Sequence, residues 1–272
     1  MATQQQNITA GFQNVDQSDT DFLIQFLADA NRFPSIVESF QTQLGLLEIG
    51  TGHHVLDIGC GIGDRAAQIA ELVGTEGSVI GTDLSSVMVE ASKVRHGNSG
   101  LSVEFHVADA TEQPFPDASF DRIRMERVLM YLKDPFDAFR EFRRLLKDNG
   151  RLLAVDFDWD ALLFAHKDKA LTRKIVEYIS DSFPSGRVGA DLFGIFKRSG
   201  FSNIVVKPIA YFCPLEFTKR VCAGVIQTGV KDGVFDEAEI ADWWAALERN
   251  ESDGTYFMAF QGYIVVGTKQ AI

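Results

Sequence analysis

The chain has 272 residues, 46% of them hydrophobic, and a mean hydropathy of −0.02, enough to bury one large α/β core or two small ones. Twenty-six basic residues against 38 acidic ones leave a net charge of −12, and such a surface repels phosphate backbones, which disfavours nucleic acid as a partner. Cys60, Cys213 and Cys222 show neither metal-ligand spacing nor a paired framework, a charged-then-apolar leader is lacking, and no apolar run approaches the ~18 residues of a membrane span; a cytoplasmic protein with reduced thiols, no metal and no membrane contact is expected.

Residues 1–18 are rich in Gln, Asn, Thr and Asp and are expected to form a flexible N-terminus. Asp19 or Thr20 can cap a helix over 21–30, and Pro34 opens another to Leu47 with Ile36, Val37, Phe40, Leu44 and Leu47 on one face. The apolar run His54-Val55-Leu56-Asp57-Ile58 ends in an acid and leads to Gly59, Gly61 and Gly63. That pattern describes a buried parallel strand turning sharply into a helix while its backbone approaches a ligand. In a dinucleotide fingerprint counted from Gly59 the third glycine would stand at position 64, which is Asp64, a poor neighbour for pyrophosphate. A helix is expected from Asp64 to Val73. A second strand from Ser78 ends in Asp83, 20 residues past Gly63, where a carboxylate can accept hydrogen bonds from both hydroxyls of a ribose. The alternative for Asp83 is a helix cap, for which Ser85 is better placed ahead of a helix over 86–96.

A third strand over 102–107 runs into Asp109-Ala110, Pro114 and Pro116 forbid regular structure next, and residues 119–125 form strand four. A helix over 135–146 stops at Lys147-Asp148-Asn149-Gly150 before strand five at 150–156. Arg122, Arg124 and Arg127 form one basic cluster; Arg140, Arg143, Arg144 and Lys147 form another whose helical spacing suits a helix C-terminus. Helices over 167–183 and 190–199, strand six at 203–212 and strand seven at 255–269 complete the alternation. It predicts a doubly wound, mostly parallel, Rossmann-like sheet of seven strands. Residues 48–212 and 255–272 make this core; 19–47 and 213–254, with helical patterning at 217–229 and 236–250, lie outside it as a lid.

The order Asp57-x-Gly59-x-Gly61-x-Gly63 resembles motif I of the class I S-adenosylmethionine-dependent methyltransferases. The run Asp109-Ala110 … Pro114-Phe115-Pro116-Asp117 … Ser119-Phe120-Asp121 resembles their motif II, in the ubiquinone- and menaquinone-biosynthesis-like group. The resemblance implies an antiparallel last strand inserted between strands five and six, lid helices closing over the site, and S-adenosylmethionine as cofactor. It assigns the cofactor to Asp57, Gly59, Gly61, Gly63, Asp83, Leu84, Asp109, Ala110 and Glu126, with Asp83 on the ribose, Asp109 and Ala110 on the adenine, and Glu126 or Met125 near the methionine end. Arg32 and Phe33 are candidates to reach the same end or the substrate.

The implied reaction is direct in-line displacement of the methyl group onto a small, partly apolar acceptor. Related proteins carry His-His after strand four; here Met130-Tyr131 stands there, which weighs against a His base and makes Tyr131 a candidate to orient the acceptor. Asp156, Asp158 and Asp160 share one parity after strand five. Asp156 or Asp158 is a candidate base or an attractor for an amine, against plain solvation for Asp158 and a cap for Asp160. His166 is expected to be exposed. The 22 phenylalanines, with Tyr211, Trp243 and Trp244, supply core and cavity walls, and Trp243 and Leu247 share a core-facing side of one helix. An alternative reading keeps the cofactor but replaces methylation with cyclisation, hydroxylation or decarboxylation. A non-catalytic binding protein is disfavoured by the intact Asp57, Asp83 and Asp109. A homodimer is compatible with all of this.

Overall fold

A computed structural model describes residues 7–271. Seven strands form one sheet in the order β3-β2-β1-β4-β5-β7-β6: β1 (His54–Ile58), β2 (Ser78–Asp83), β3 (Val103–Val107), β4 (Phe120–Glu126), β5 (Leu146–Phe164), β6 (Phe201–Phe212) and β7 (Met258–Lys269). Strands β1 to β5 are parallel, and β7 runs antiparallel to both β5 and β6. The central strands are apolar on both faces because helices cover both. Val55 and Leu56 are each fully buried yet belong to opposite sides, Val55 with Phe40, Ile69 and Val73, Leu56 with Phe139 and Phe142.

On the first side lie α3 (Pro34–Leu47), α4 (Asp64–Val73) and α5 (Ser86–His96). On the second lie α6 (Pro135–Leu145) and α8 (Val188–Arg198), preceded by α7 (Lys169–Asp181). The remaining helices, α1 (Ile8–Gln13), α2 (Thr20–Ala30), α9 (Leu215–Lys231) and α10 (Glu237–Ser252), sit beyond the sheet. The N-terminal helices and the insertion pack on one another. Phe217 of α9 stacks on Phe26 at 5.4 Å between ring centroids and meets Phe33 at 4.6 Å, while Arg220 pairs with Asp29 at 3.0 Å. Trp243 and Leu247 of α10 are core residues, and the Trp243 indole N–H donates to Thr172 of α7 at 3.0 Å.

Three features differ from the sequence reading. Residues 8–13 form α1 and residues 15–17 a 3-10 turn rather than a flexible tail; residues 1–6 of that expectation lie outside the described residues. Local capping explains the order: Asn7 accepts from the Ala10 amide at 3.1 Å. Asp16 in turn caps α5, accepting from the Ser86 amide at 3.1 Å and hydroxyl at 2.8 Å and from the Ser85 hydroxyl. Second, α6 ends at Leu145, and the left-handed residue is Asn149, φ +62°, inside an already extended chain. Third, β5 continues to Phe164 because β7 pairs with it out to Met258. His166 is partly buried, its ring 5.3 Å from Trp243.

Removing the Asp16 cap by Asp16→Ala should cost about 1–2 kcal/mol locally. Limited proteolysis should then cut faster within residues 8–17, while the main thermal transition shifts by only a few degrees.

Candidate functional site

The carboxyl ends of β1, β2 and β4 open into a cavity of about 490 Å³, roofed by α1, α2 and α9. At its base the chain turns from β1 into α4 through Gly59, Gly61 and Gly63, all with positive φ. Gly59 has no room for a side chain, since a Cβ there would stand 2.3 Å from Val128 Cγ2; at Gly63 it would stand 2.8 Å from the Phe105 ring. Asp83 closes the turn from the side. Its Oδ2 accepts from the Gly61 amide at 2.9 Å and its Oδ1 from the Ser85 amide at 3.0 Å. Burial pushes the Asp83 pKa up, these two amide bonds pull it down, and Asp16 nearby adds to the rise. Leu84 lines the same wall and stays 68% exposed. Asp109 and Ala110 line it too, with Asp109 Oδ1 held by the Thr111 amide and hydroxyl, both at 2.7 Å.

Below the cavity lies a set of buried charges. Arg122, Arg124 and Glu126 occupy alternate positions of β4 and so share one face. Arg122 donates to Leu47 O at 2.7 Å, closing the end of α3. Arg124, 3% exposed, donates to Asp57 Oδ1 at 2.7 Å, to Gln43 Oε1 at 2.8 Å and to Glu126 Oε2. Gln43 of α3 also donates to Glu126, at 3.3 Å. Desolvation raises the pKa of Asp57 against the pull of Arg124; for Glu126 desolvation is outweighed by Arg127, Arg124 and Arg65, and its pKa falls. Asp57 Oδ2 is buried without a hydrogen-bond partner. The Phe40 ring lies under both Arg65 and Arg124, 4.4 and 5.2 Å from centroid to guanidinium.

The far part of the cavity has aromatic walls. Phe157 and Trp159 of β5 enter it together with Phe183, Tyr211 and Phe260, and Trp159 stacks on Phe183 at 4.4 Å. Tyr131 is also a wall residue, 5.8 Å from the Phe183 ring, and burial raises its pKa. Phe33 lines the cavity while Arg32 does not.

The candidate acids after β5 stand away from the cavity. Neither Asp156 nor Asp158 lines the cavity, because the other parity does. Leu153 and Val155 face α3, and Phe157 and Trp159 continue that face; Asp156 falls with Leu152 and Ala154 on the α6 and α8 side. There the Asp156 carboxylate accepts from the amides of Leu129 at 2.9 Å, Phe157 at 3.1 Å and Met130 at 3.4 Å, fixing the loop that carries Tyr131. Asp158 is partly buried, with Oδ1 unpaired. Sequence reasoning missed Gln43, Arg65 and the pairing of Arg124. The available signal was the Arg-x-Arg-x-Glu alternation at 122–126, charged where a central strand is otherwise apolar.

A family model described as a methyltransferase domain matches residues 49–190. An uncharacterized 37.1 kDa transposon protein of Streptomyces fradiae is 32% identical over 208 residues, 76% of this chain and 54% of its own length. The ubiquinone/menaquinone biosynthesis C-methyltransferase UbiE of Pseudoalteromonas translucida is 31% identical over 173 residues, 57% of this chain and 67% of its own length. The chain thus spans about half of the first relative and two thirds of the second. A Bacillus halodurans structure, solved as a candidate methyltransferase, shares the fold with a TM-score of 0.62 at 17% identity, over 86% of this chain and all of that one.

Arg124→Met should destabilise the fold by about 3–5 kcal/mol in denaturant titration, since it removes the cation hydrogen-bonded to buried Asp57 and Glu126 and leaves them only the more distant Arg65 and Arg127; adding Asp57→Asn should recover part of the loss. A second expectation concerns pH. Burial holds the Asp156 pKa at about 7, above the unfolded carboxylate value of ~3.9. The folded state therefore binds this proton more tightly, and the group's stabilising contribution, full below about pH 4, is lost as pH rises to 7. Asp156→Asn should flatten that part of the stability–pH curve, measured by thermal denaturation.

Proposed function

This chain belongs to the S-adenosylmethionine-dependent methyltransferases, and on that footing we propose that it methylates a small, partly apolar acceptor by direct in-line displacement. The observation that carries this reading is the Asp83 carboxylate, held by the Gly61 and Ser85 amides at the wall of a cavity floored by a glycine turn. S-adenosylmethionine, when bound, supplies a methyl group on a positively charged sulfur.

The residues present fit that cofactor. Asp83 would take the ribose hydroxyls, Asp109 and the Ala110 backbone the adenine edge, and the exposed Leu84 side chain the adenine face. Gly59 packs directly on Val128, so a side chain there would push the turn's backbone out of its place at the cavity floor. The unpartnered Asp57 Oδ2 and the Glu126 carboxylate line the cavity at the end left for the methionine portion. Phe12, Phe26 and Phe217 in the roof exclude water from the reacting centre.

Aromatic walls at Phe157, Trp159, Phe183 and Phe260 support a flat or apolar acceptor. Asp156 and Asp158 do not line that end, which supports a rate that arises from positioning and not from either of those carboxylates acting as base. Tyr131 would orient the acceptor. The N-terminal helices and α9 would act as the lid. No described helix is long and apolar enough to cross a membrane; with the net charge of −12, this supports a cytoplasmic enzyme acting on small molecules and not on nucleic acid.

Calorimetric titration with S-adenosylmethionine and S-adenosylhomocysteine tests the cofactor site. Asp83→Ala should weaken both by about 1–3 kcal/mol through lost charge-assisted bonds; unchanged affinity in a folded variant overturns the ribose assignment. Turnover that leaves S-adenosylmethionine unconsumed would replace methylation with a non-methylating reaction.

A further inference from the structure

We propose that Arg127, Tyr131 and Tyr211 form a binding site for an ionised oxygen on the acceptor, so that the acceptor is an acidic oxygen compound and not an amine or a neutral alcohol. This rests on the methyltransferase reading of the cavity and names the chemistry of its acceptor end.

Arg127 is the first residue after β4 and lines the cavity. It holds a left-handed backbone, φ +59°, that a bulky side chain adopts at a cost. Its amide is fixed by Val155 O at 2.8 Å. The guanidinium nonetheless has one weak partner among the described residues, Glu126 Oε1 at 3.8 Å from Nε. Its two terminal nitrogens, the donors suited to an oxyanion, have none.

The two phenols point the same way. Tyr211 Oη is buried without a hydrogen bond; the Ser39 hydroxyl lies near but not in bonding geometry. Among the described residues the Tyr131 hydroxyl has no hydrogen-bond partner, and both rings line the cavity; Tyr211 Oη is the buried one of the two. Burial raises the pKa of both phenols, Asp156 adds to the rise at Tyr131 and Glu126 at Tyr211, and the charge of Arg127 opposes it at both. A buried donor left unpaired is costly unless a ligand completes it.

The hydrogen bonding of the three cavity guanidiniums agrees. Arg124 is engaged by Asp57, Gln43 and Glu126, and Arg65 by Gln68 and the Asn31 carbonyl. Of the four carboxylates that line the cavity, Asp83 and Asp109 are held at the glycine-turn end by backbone amides, and Asp57 and Glu126 by Arg124. Among the described residues Arg127 is thus the cavity guanidinium whose terminal donors stay open to an anionic acceptor. The acceptor's proton would leave to bulk water on binding, and the oxygen would then form the new bond to the methyl carbon as the carbon–sulfur bond breaks; where the conjugated carbon attacks instead, that carbon's own proton would be lost to water afterwards.

Coloured analogues of one size separate the possibilities: 4-nitrophenol, 4-nitrobenzoate and 4-nitroaniline, each titrated into the full chain saturated with S-adenosylhomocysteine. For 4-nitrophenol the visible absorbance of the anion reports the bound ionisation state. The expected result is that the anion binds about tenfold more tightly than the neutral phenol, seen as a drop of about one unit in the indicator's apparent pKa. Arg127→Asn, whose side chain tolerates the left-handed backbone, should abolish that drop; Arg127→Lys should keep part of it, and Tyr211→Phe and Tyr131→Phe should each reduce it two- to threefold. The relative affinities of the nitrophenolate and the nitrobenzoate decide between a phenol- or enol-type oxygen and a carboxylate. No shift in the saturated wild type, an equal shift in Arg127→Asn, or preferential binding of 4-nitroaniline overturns the proposal. Loss of S-adenosylhomocysteine affinity in Arg127→Asn with an unchanged indicator would reassign Arg127 to the cofactor's carboxylate and overturn it too. Failure of the wild type to bind S-adenosylhomocysteine at all sinks the parent reading.

Discussion

Arg124 is a fully charged side chain in the middle of a parallel sheet, and much of the architecture follows from satisfying it. Isolated, such a charge is costly to bury by several kcal/mol or more. It is tolerated because three different elements converge on it: Asp57 from β1, Glu126 from its own strand and Gln43 from α3. These contacts set the height at which β4 ends relative to β1 and place α3 across the sheet. They also leave Asp57 and Glu126 with defined carboxylate orientations at the cavity floor. Both cavity-lining carboxylates are therefore held by a buried hydrogen-bonded network, the condition under which electrostatic preorganisation is effective.

Legibility in the sequence divides along the distance between partners. The cavity-wall residues Asp57, Asp83 and Asp109 could be read because each ends a short strand, and each strand, turn and helix is specified within about ten neighbouring residues. The inserted β7 and the helical segment before it were readable from apolar periodicity together with family resemblance. Gln43 was not, since it meets Arg124 from 81 positions away, and nothing local marks a glutamine in an amphipathic helix as buried. The order at residues 8–17 was equally hidden: Asp16 finds its partners 69–71 positions later, at the start of α5. Composition suggested a loose segment, and tertiary capping overrode it.

The acids after β5 illustrate a different failure. Alternation along a strand was the correct rule, but it says only that Asp156 and Asp158 share a face, not which face meets the ligand. That choice is made by α3, which covers Leu153 and Val155 and so assigns the odd-numbered positions to the cavity side. Phe157 and Trp159 line the cavity, and Asp156 becomes a bracket for the loop bearing Tyr131. One and the same strand thus supplies an apolar wall on one face and a polar clamp on the other. The aromatic end of the cavity is shaped by the first and kept in register by the second.

The position of β7 has a consequence for how the protein is made. β6 pairs with β7 alone, and β7 also completes the hydrogen bonding of β5. Until residues 258–269 leave the ribosome, β6 has no strand to bind and the extended arm of β5 beyond Asp158 stays unpaired. A nascent chain can assemble β1 to β4 with their helices, but the aromatic end of the cavity cannot close before synthesis is nearly finished. The glycine-turn half of the cavity is available early and the aromatic half last, so chaperone dependence would concentrate on the aromatic half.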